Sequence, residues 1–126
     1  MRPDSLAEVA RLTASGEPFD PSLANFLDEF YRDPHARCLT EAPELLAPRL
    51  GELGRVQDAY LAATAEELSR SHALSVAPWI HGDERKLHRP WFASDLAALR
   101  AILIFESPAA FRSRNLFVSH DALTRA

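Results

Sequence analysis

The first third of the chain alternates apolar and polar positions with the 3.6-residue period of helices that each hide one face. In DSLAEVARLTASG the repeating positions are Leu6, Val9, Ala10 and Thr13. Ser5 stands before them with Glu8 three residues on, the spacing of a capping box, and Gly16 stops the run. A second segment, FDPSLANFLDEFYRDP, places Leu23, Phe26, Leu27 and Phe30 at i, i+3, i+4 and i+7, and turns Asn25, Asp28, Glu29 and Arg32 to the other side. Asp20 before Pro21 reads as an N-cap followed by a first-turn proline, which predicts an amphipathic helix over 21–32.

Prolines at 34, 43 and 48 then restrict residues 33–50 to irregular chain with one or two helical turns, because proline lacks an N–H and its ring breaks the ladder. From Gly51 to Ser71 the pattern returns: Leu53, Val56, Tyr60, Ala63 and Leu68 share a side, and this is the longest predicted helix. Residues 72–92 mix prolines, tryptophans and charges with no sustained period, so they read as a long loop with a short extended piece at 74–77. Ser94 caps a helix over 95–105 whose end, Ala101 to Phe105, is apolar all round, and such a helix is expected at the centre of a core. Ser107-Pro108 repeats the cap-then-proline order for a short helix, PAAFRSRN. An apolar step at 116–118 and a last short helix capped by Ser119 follow. The expected fold is all-α: a single domain over residues 1–126, a bundle of five or six helices with a long loop containing tryptophan and proline.

Composition narrows the setting. With 126 residues and 47% hydrophobic content the chain can build one core, and a single cysteine, Cys38, leaves it without an internal disulfide. No apolar run approaches the roughly 20 residues needed to span a bilayer. The start, MRPDSLAEVARL, has acids where a secretory signal carries its apolar core, so a cytoplasmic location is expected and no membrane contact.

The net charge of −4 is unevenly distributed. Residues 1–60 carry eleven acids and six bases, and residues 61–126 seven acids and eight bases. Any nucleic-acid contact is therefore expected to be local. Thirteen of the fourteen bases are arginine, with Lys86 the exception; a GC-rich genome accounts for this as readily as a need for bidentate recognition does.

Candidate chemistry is sparse. Ser119, His120 and Asp121 spell a hydrolase triad, but consecutive residues point about 100° apart on a helix and cannot relay a proton, and no G-x-S-x-G elbow exists. His35 and Cys38 lack the second pair a structural zinc site requires, and HGDERKLH at 81–88 lacks the i, i+4 histidines of H-E-x-x-H. His81, Asp83 and His88 are the residues an enzyme would use here. Glu66 and Glu67 are adjacent rather than four apart, and the four glycines form no phosphate loop. The expectation is no catalytic residue, no metal and no cofactor.

Two binding readings remain. Arg85, Lys86 and Arg89 in the tryptophan-flanked loop, with Arg112 and Arg114 after Pro108, would form a nucleic-acid patch if the segments converge. The competing reading has Arg112 and Arg114 answering helix carbonyls and carboxylates such as Glu106. As interface candidates, Trp79, Trp91, Phe92, Arg112 and Arg114 combine the aromatic and arginine character of hot spots, and they imply a protein partner or a homo-oligomer.

The stretches FLDEFY (26–31), DAYLAA (58–63), RPWFAS (89–94) and ESPAAFRSRNLFVS (106–119) resemble a family of small bacterial proteins of uncharacterised activity. That domain follows a helix-turn-helix segment in regulators or antitoxin-like proteins, sometimes beside a nucleotidyltransferase-like partner. The resemblance covers roughly residues 20–126, and it implies a regulatory, non-enzymatic role in which the protein acts by binding a partner. No family functional residue carries over, and the chain shows no preceding helix-turn-helix segment.

Overall fold

The computed structural model describes residues 2–125, of which helices are by far the main component, so the fold is all-α. Helix α1 (Leu6–Ala14) starts as the capping box requires, with the Ser5 hydroxyl accepting from the Glu8 N–H at 3.1 Å. It closes at Gly16, whose φ of +110° suits glycine alone, with Glu17 N–H reaching back to the Leu12 carbonyl. Helix α2 (Phe19–Arg32) begins two residues earlier than the proline spacing predicts. Pro18 is the cap position, and Asp20 and Pro21 lie inside the first turn.

Single turns α3 (Arg37–Thr40) and α4 (Ala47–Leu50) occupy the proline-rich stretch, and α5 (Glu52–Ser71) is the longest helix. Two 3₁₀ turns, Pro78–His81 and Asp83–Arg85, then lead to β1 (Trp91–Phe92). Helix α6 (Ala97–Glu106), α7 (Ala109–Arg112) and β2 (Leu116–Phe117) complete the order.

The extended piece falls at 91–92 rather than 74–77. It pairs in parallel with β2, Trp91 opposite Leu116 and Phe92 opposite Phe117, and the two phenylalanine rings stack at 5.0 Å. Asn115 makes the approach to β2 feasible by adopting φ +63°, a left-handed conformation asparagine tolerates, while its side-chain amide donates to the Leu87 carbonyl at 2.8 Å. The expected last helix is instead a run of turns: Ala122 N–H bonds the Ser119 carbonyl and Thr124 N–H that of Asp121, with no helical ladder between.

The core is one cluster. Leu6, Val9, Phe26, Phe30, Leu39, Leu61, Leu68, Ile80, Phe111 and Leu116 are all buried in it, so α1, α2, α5, the loop and the C-terminal segment share a single interior. An aromatic chain crosses it, Tyr60 lying edge-on to Phe19 at 6.0 Å and to Phe111 at 4.9 Å. Burial, with Asp20 nearby as a second cause, pushes the Tyr60 phenol up to about 12, and burial with Glu67 raises that of Tyr31. Both folded values exceed the ordinary 10.0, so the neutral phenols favour the fold below pH 10. Stability from Tyr60 is lost as pH rises from 10 toward 12, and Tyr31 acts in the same direction. In a Tyr31→Phe background, which removes the exposed phenol, alkaline titration is therefore expected to show phenolate absorbance appearing together with loss of helical circular dichroism, not ahead of it.

The end of α5 carries a local strain. Leu74 N–H bonds the Ser69 carbonyl at 2.8 Å and Ala73 N–H that of Arg70 at 3.5 Å, the pattern of a Schellman cap, yet the left-handed position is occupied by Ala73 at φ +54°. An alanine pays for its Cβ there. Ala73→Gly is expected to stabilise the protein by about 0.5–1 kcal/mol, read as a higher urea midpoint at unchanged slope.

Candidate functional site

The helix expected at the centre of the core lies on the outside. Of the ten residues of α6 only Leu103 is buried, and Leu103 stands apart from the main apolar cluster. An apolar pattern marks a helix that would gain from burial but does not fix its place in the fold, and here α5, buried over most of its surface, takes the centre. Residues three, four and seven apart share a helix face, so Ala98, Ala101, Ile102 and Phe105 form one stripe opposite Leu103, and every one of them is exposed. Phe105 is 85% exposed and Ile102 51%, with Ile104, Leu99 and Leu96 also open to solvent.

Of the two charges of α6, Arg100 lies on the opposite side from that stripe, and Glu106, four residues after Ile102, borders it and turns toward the C-terminal segment. Arg100 lies over the Phe92 ring at 5.1 Å, and Glu106 faces the His120 ring at 3.7 Å. What remains outward is an uncharged apolar surface on a rod about 15 Å long.

Helix α6 is fastened at both ends to the β1/β2 ladder. Ser107, buried at its C-terminus, donates its hydroxyl to the Val118 carbonyl at 2.9 Å and accepts the Val118 N–H at 2.7 Å. Near the other end, Arg100 rests on Phe92, which stacks on Phe117.

The arginines divide sharply. Arg85, 3% exposed, donates to the Pro43 carbonyl at 2.6 Å and the Asp58 carbonyl at 3.4 Å, stands 4.0 Å from the Asp58 carboxylate and lies over Trp79 at 4.8 Å. Arg114, 6% exposed, donates to the carbonyls of Ala110 at 2.7 Å and Ile80 at 3.0 Å and meets Glu66 at 2.7 Å. Neither guanidinium is presented at the surface. With Lys86 they do converge, around a cavity of about 300 Å³ that also touches Glu66 and His81, but each cation has its own acid: Asp58, Glu66 and, for Lys86, Asp83 at 3.5 Å. Arg89 and Arg112 are exposed elsewhere.

Asp58 is the functional group the sequence reading missed. It is fully buried on α5, accepting the Leu46 N–H at 2.7 Å and the Ala47 N–H at 3.1 Å, and thereby ties the α4 turn to the long helix. Burial pushes its carboxyl upward and depresses the Arg85 guanidinium; the two backbone donors and the mutual attraction work the other way and do not offset burial. The signal available in advance was an aspartate inside the otherwise apolar run of DAYLAA.

The two tryptophans are half-buried against the core, and Trp79 donates its indole N–H to the Leu39 carbonyl at 2.9 Å. Trp91 lines a groove of about 960 Å³ between α2, the first half of α5 and the C-terminal segment, with Phe19, Val56 and Tyr60. His35 and Cys38 touch at 3.3 Å, and among the described residues no group of three metal-ligating side chains exists. Ser119 donates to Asp121 at 2.5 Å within a turn, while His120 faces Glu106, so the three residues form no relay. No described helix is long and apolar enough to cross a membrane.

Compared with known proteins, the chain matches no family model, no curated protein and no solved structure.

Proposed function

We propose that this protein is a non-enzymatic, cytoplasmic interaction module that docks onto another polypeptide through the outward face of α6, in a regulatory or antitoxin-like role of the kind the resemblance implies. One observation carries the reading: a helix with an uncharged outward stripe, Ala98, Ala101, Ile102 and Phe105, is left uncovered by its own chain. Contiguous apolar surface of this kind marks interaction sites. Phe92 belongs to the region through its contact with Arg100, and Arg112 is exposed on α7, directly after α6. Trp79 and Trp91 pack against the core, Trp79 held by the Leu39 carbonyl and Trp91 opposite Leu116.

Of the five residues of the expected nucleic-acid patch, Lys86, Arg89 and Arg112 remain exposed, since Arg85 and Arg114 are enclosed. Three contacts would give a slope of log affinity against log salt no steeper than about −2.7.

The test uses a photoreactive residue in place of Leu99, expressed in the native host. One dominant cross-linked product is expected, and Ile102→Glu in the same chain is expected to abolish it while circular dichroism stays unchanged. A ladder with no dominant product, or a product indifferent to Ile102→Glu, overturns the reading.

A further inference from the structure

The geometry points to a second copy of this chain as the occupant of the α6 face, held in an antiparallel, twofold-related helix pair; the inference rests on the reading of α6 as the docking face. The stripe is graded in size. Ala98 and Ala101 lie toward the N-terminal end, Ile102 and Phe105 toward the C-terminal end. In an antiparallel pair centred between residues 101 and 102, Phe105 of each copy meets Ala98 of the other, and Ile102 meets Ala101. Large therefore faces small at every level, which lets facing layers interdigitate without void or clash. A parallel pair would set Phe105 against Phe105 and Ala98 against Ala98, jammed at one end and hollow at the other.

Charge agrees with the same arrangement. Arg100 is engaged by Phe92 away from the seam, and Glu106, at its edge and turned to His120, comes opposite Ala97 of the other copy, so the seam brings no like charges together. Antiparallel helices also set each N-terminus beside the partner's C-terminus, the favourable order for their dipoles. The pairing is isologous and closes on itself, which limits assembly to two chains.

Area sets its strength. A rod about 15 Å long covers less than the roughly 800 Å² per partner of a standard interface. The dimer is accordingly of the kind that dissociates on dilution rather than an obligate one.

Sedimentation of the full chain over a wide concentration range is expected to show a monomer–dimer equilibrium, weakened at least tenfold by Ile102→Glu and by Phe105→Glu. These positions are exposed, so the variants should keep the helical spectrum of the parent. Register is read with cysteines under mild oxidation. The double variant Ala98→Cys with Phe105→Cys is expected to give a covalently linked pair, because positions 98 and 105 of one helix, seven residues apart, are too distant to bridge each other. Either single variant is expected to remain unlinked.

Linking by Phe105→Cys alone overturns the antiparallel register. A chain that stays monomeric at every concentration and forms no link overturns self-pairing. In that event, loss of the in-cell product of the Leu99 probe on Ile102→Glu would keep the docking face for a different partner, and an unchanged product would remove both.

Discussion

Asp58→Ala is expected to cost about 3–5 kcal/mol of folding free energy, enough to unfold a small domain of ordinary stability. The carboxylate accepts two backbone donors from Leu46 and Ala47 and faces Arg85 in a site closed to water. Removing it strands both N–H groups and leaves a buried guanidinium without its acid, whereas the aspartate itself gains little from the pairing because burial penalises its charge. Asp58→Asn should fall between, since an amide offers one acceptor where two donors converge. The decisive measurement is a double-mutant cycle by urea unfolding. Arg85→Met in the Asp58→Ala background is expected to recover part of the loss, and additive losses would show that the two residues do not act as a pair.

Arg114→Ala is expected to destabilise by about 2–4 kcal/mol, through the orphaned carbonyl of Ile80, the loss of the charged donor to the Ala110 carbonyl, which keeps only the Ser113 hydroxyl, and the loss of the Glu66 contact. The direction matters for function. A surface hot spot would lose binding at constant stability, and this substitution is expected to lower the thermal midpoint while the protein that remains folded still gives the α6 cross-link. Arg114→Lys should rescue little, because one ammonium cannot reach three acceptors spread around a planar fork.

Periodicity made α1 and α2 legible, since each buries a stripe within its own chain, and the Ser5–Glu8 cap and Gly16 stop gave the bounds of α1. Helix α5 is where expected but is buried all round over Gln57–Ala59 and Leu61–Ala65, whereas Leu53 of the expected stripe is exposed. The same rule misplaced α6. Apolar character favours burial, but it does not rank one apolar helix against another, and the interior is filled here by α5 and the aromatic residues of α2 and α7. Arg85 is hidden from such a reading because its partner Asp58 lies 27 residues away. For Arg114 the competing expectation holds in kind: it answers a helix carbonyl, that of Ala110, but its acid is Glu66 rather than Glu106, and its second carbonyl, Ile80, lies 34 residues away. The final turn region shows the limit of cap motifs. Ser119 does bond Asp121, but DALTRA supplies no apolar stripe to hold a helix once begun.

The reciprocal bond between Ser107 and Val118 gives α6 a mechanical character. A helix with a single buried residue would ordinarily sway, and a swaying arm surrenders freedom on contact, which weakens capture. One hydroxyl, fixed to the ladder by both its proton and its lone pair, turns that arm into a stiff bracket. If α6 docks as proposed, Ser107→Ala is expected to loosen the hold while leaving every side chain of the outward stripe in place, although the Ser107 oxygen is itself buried.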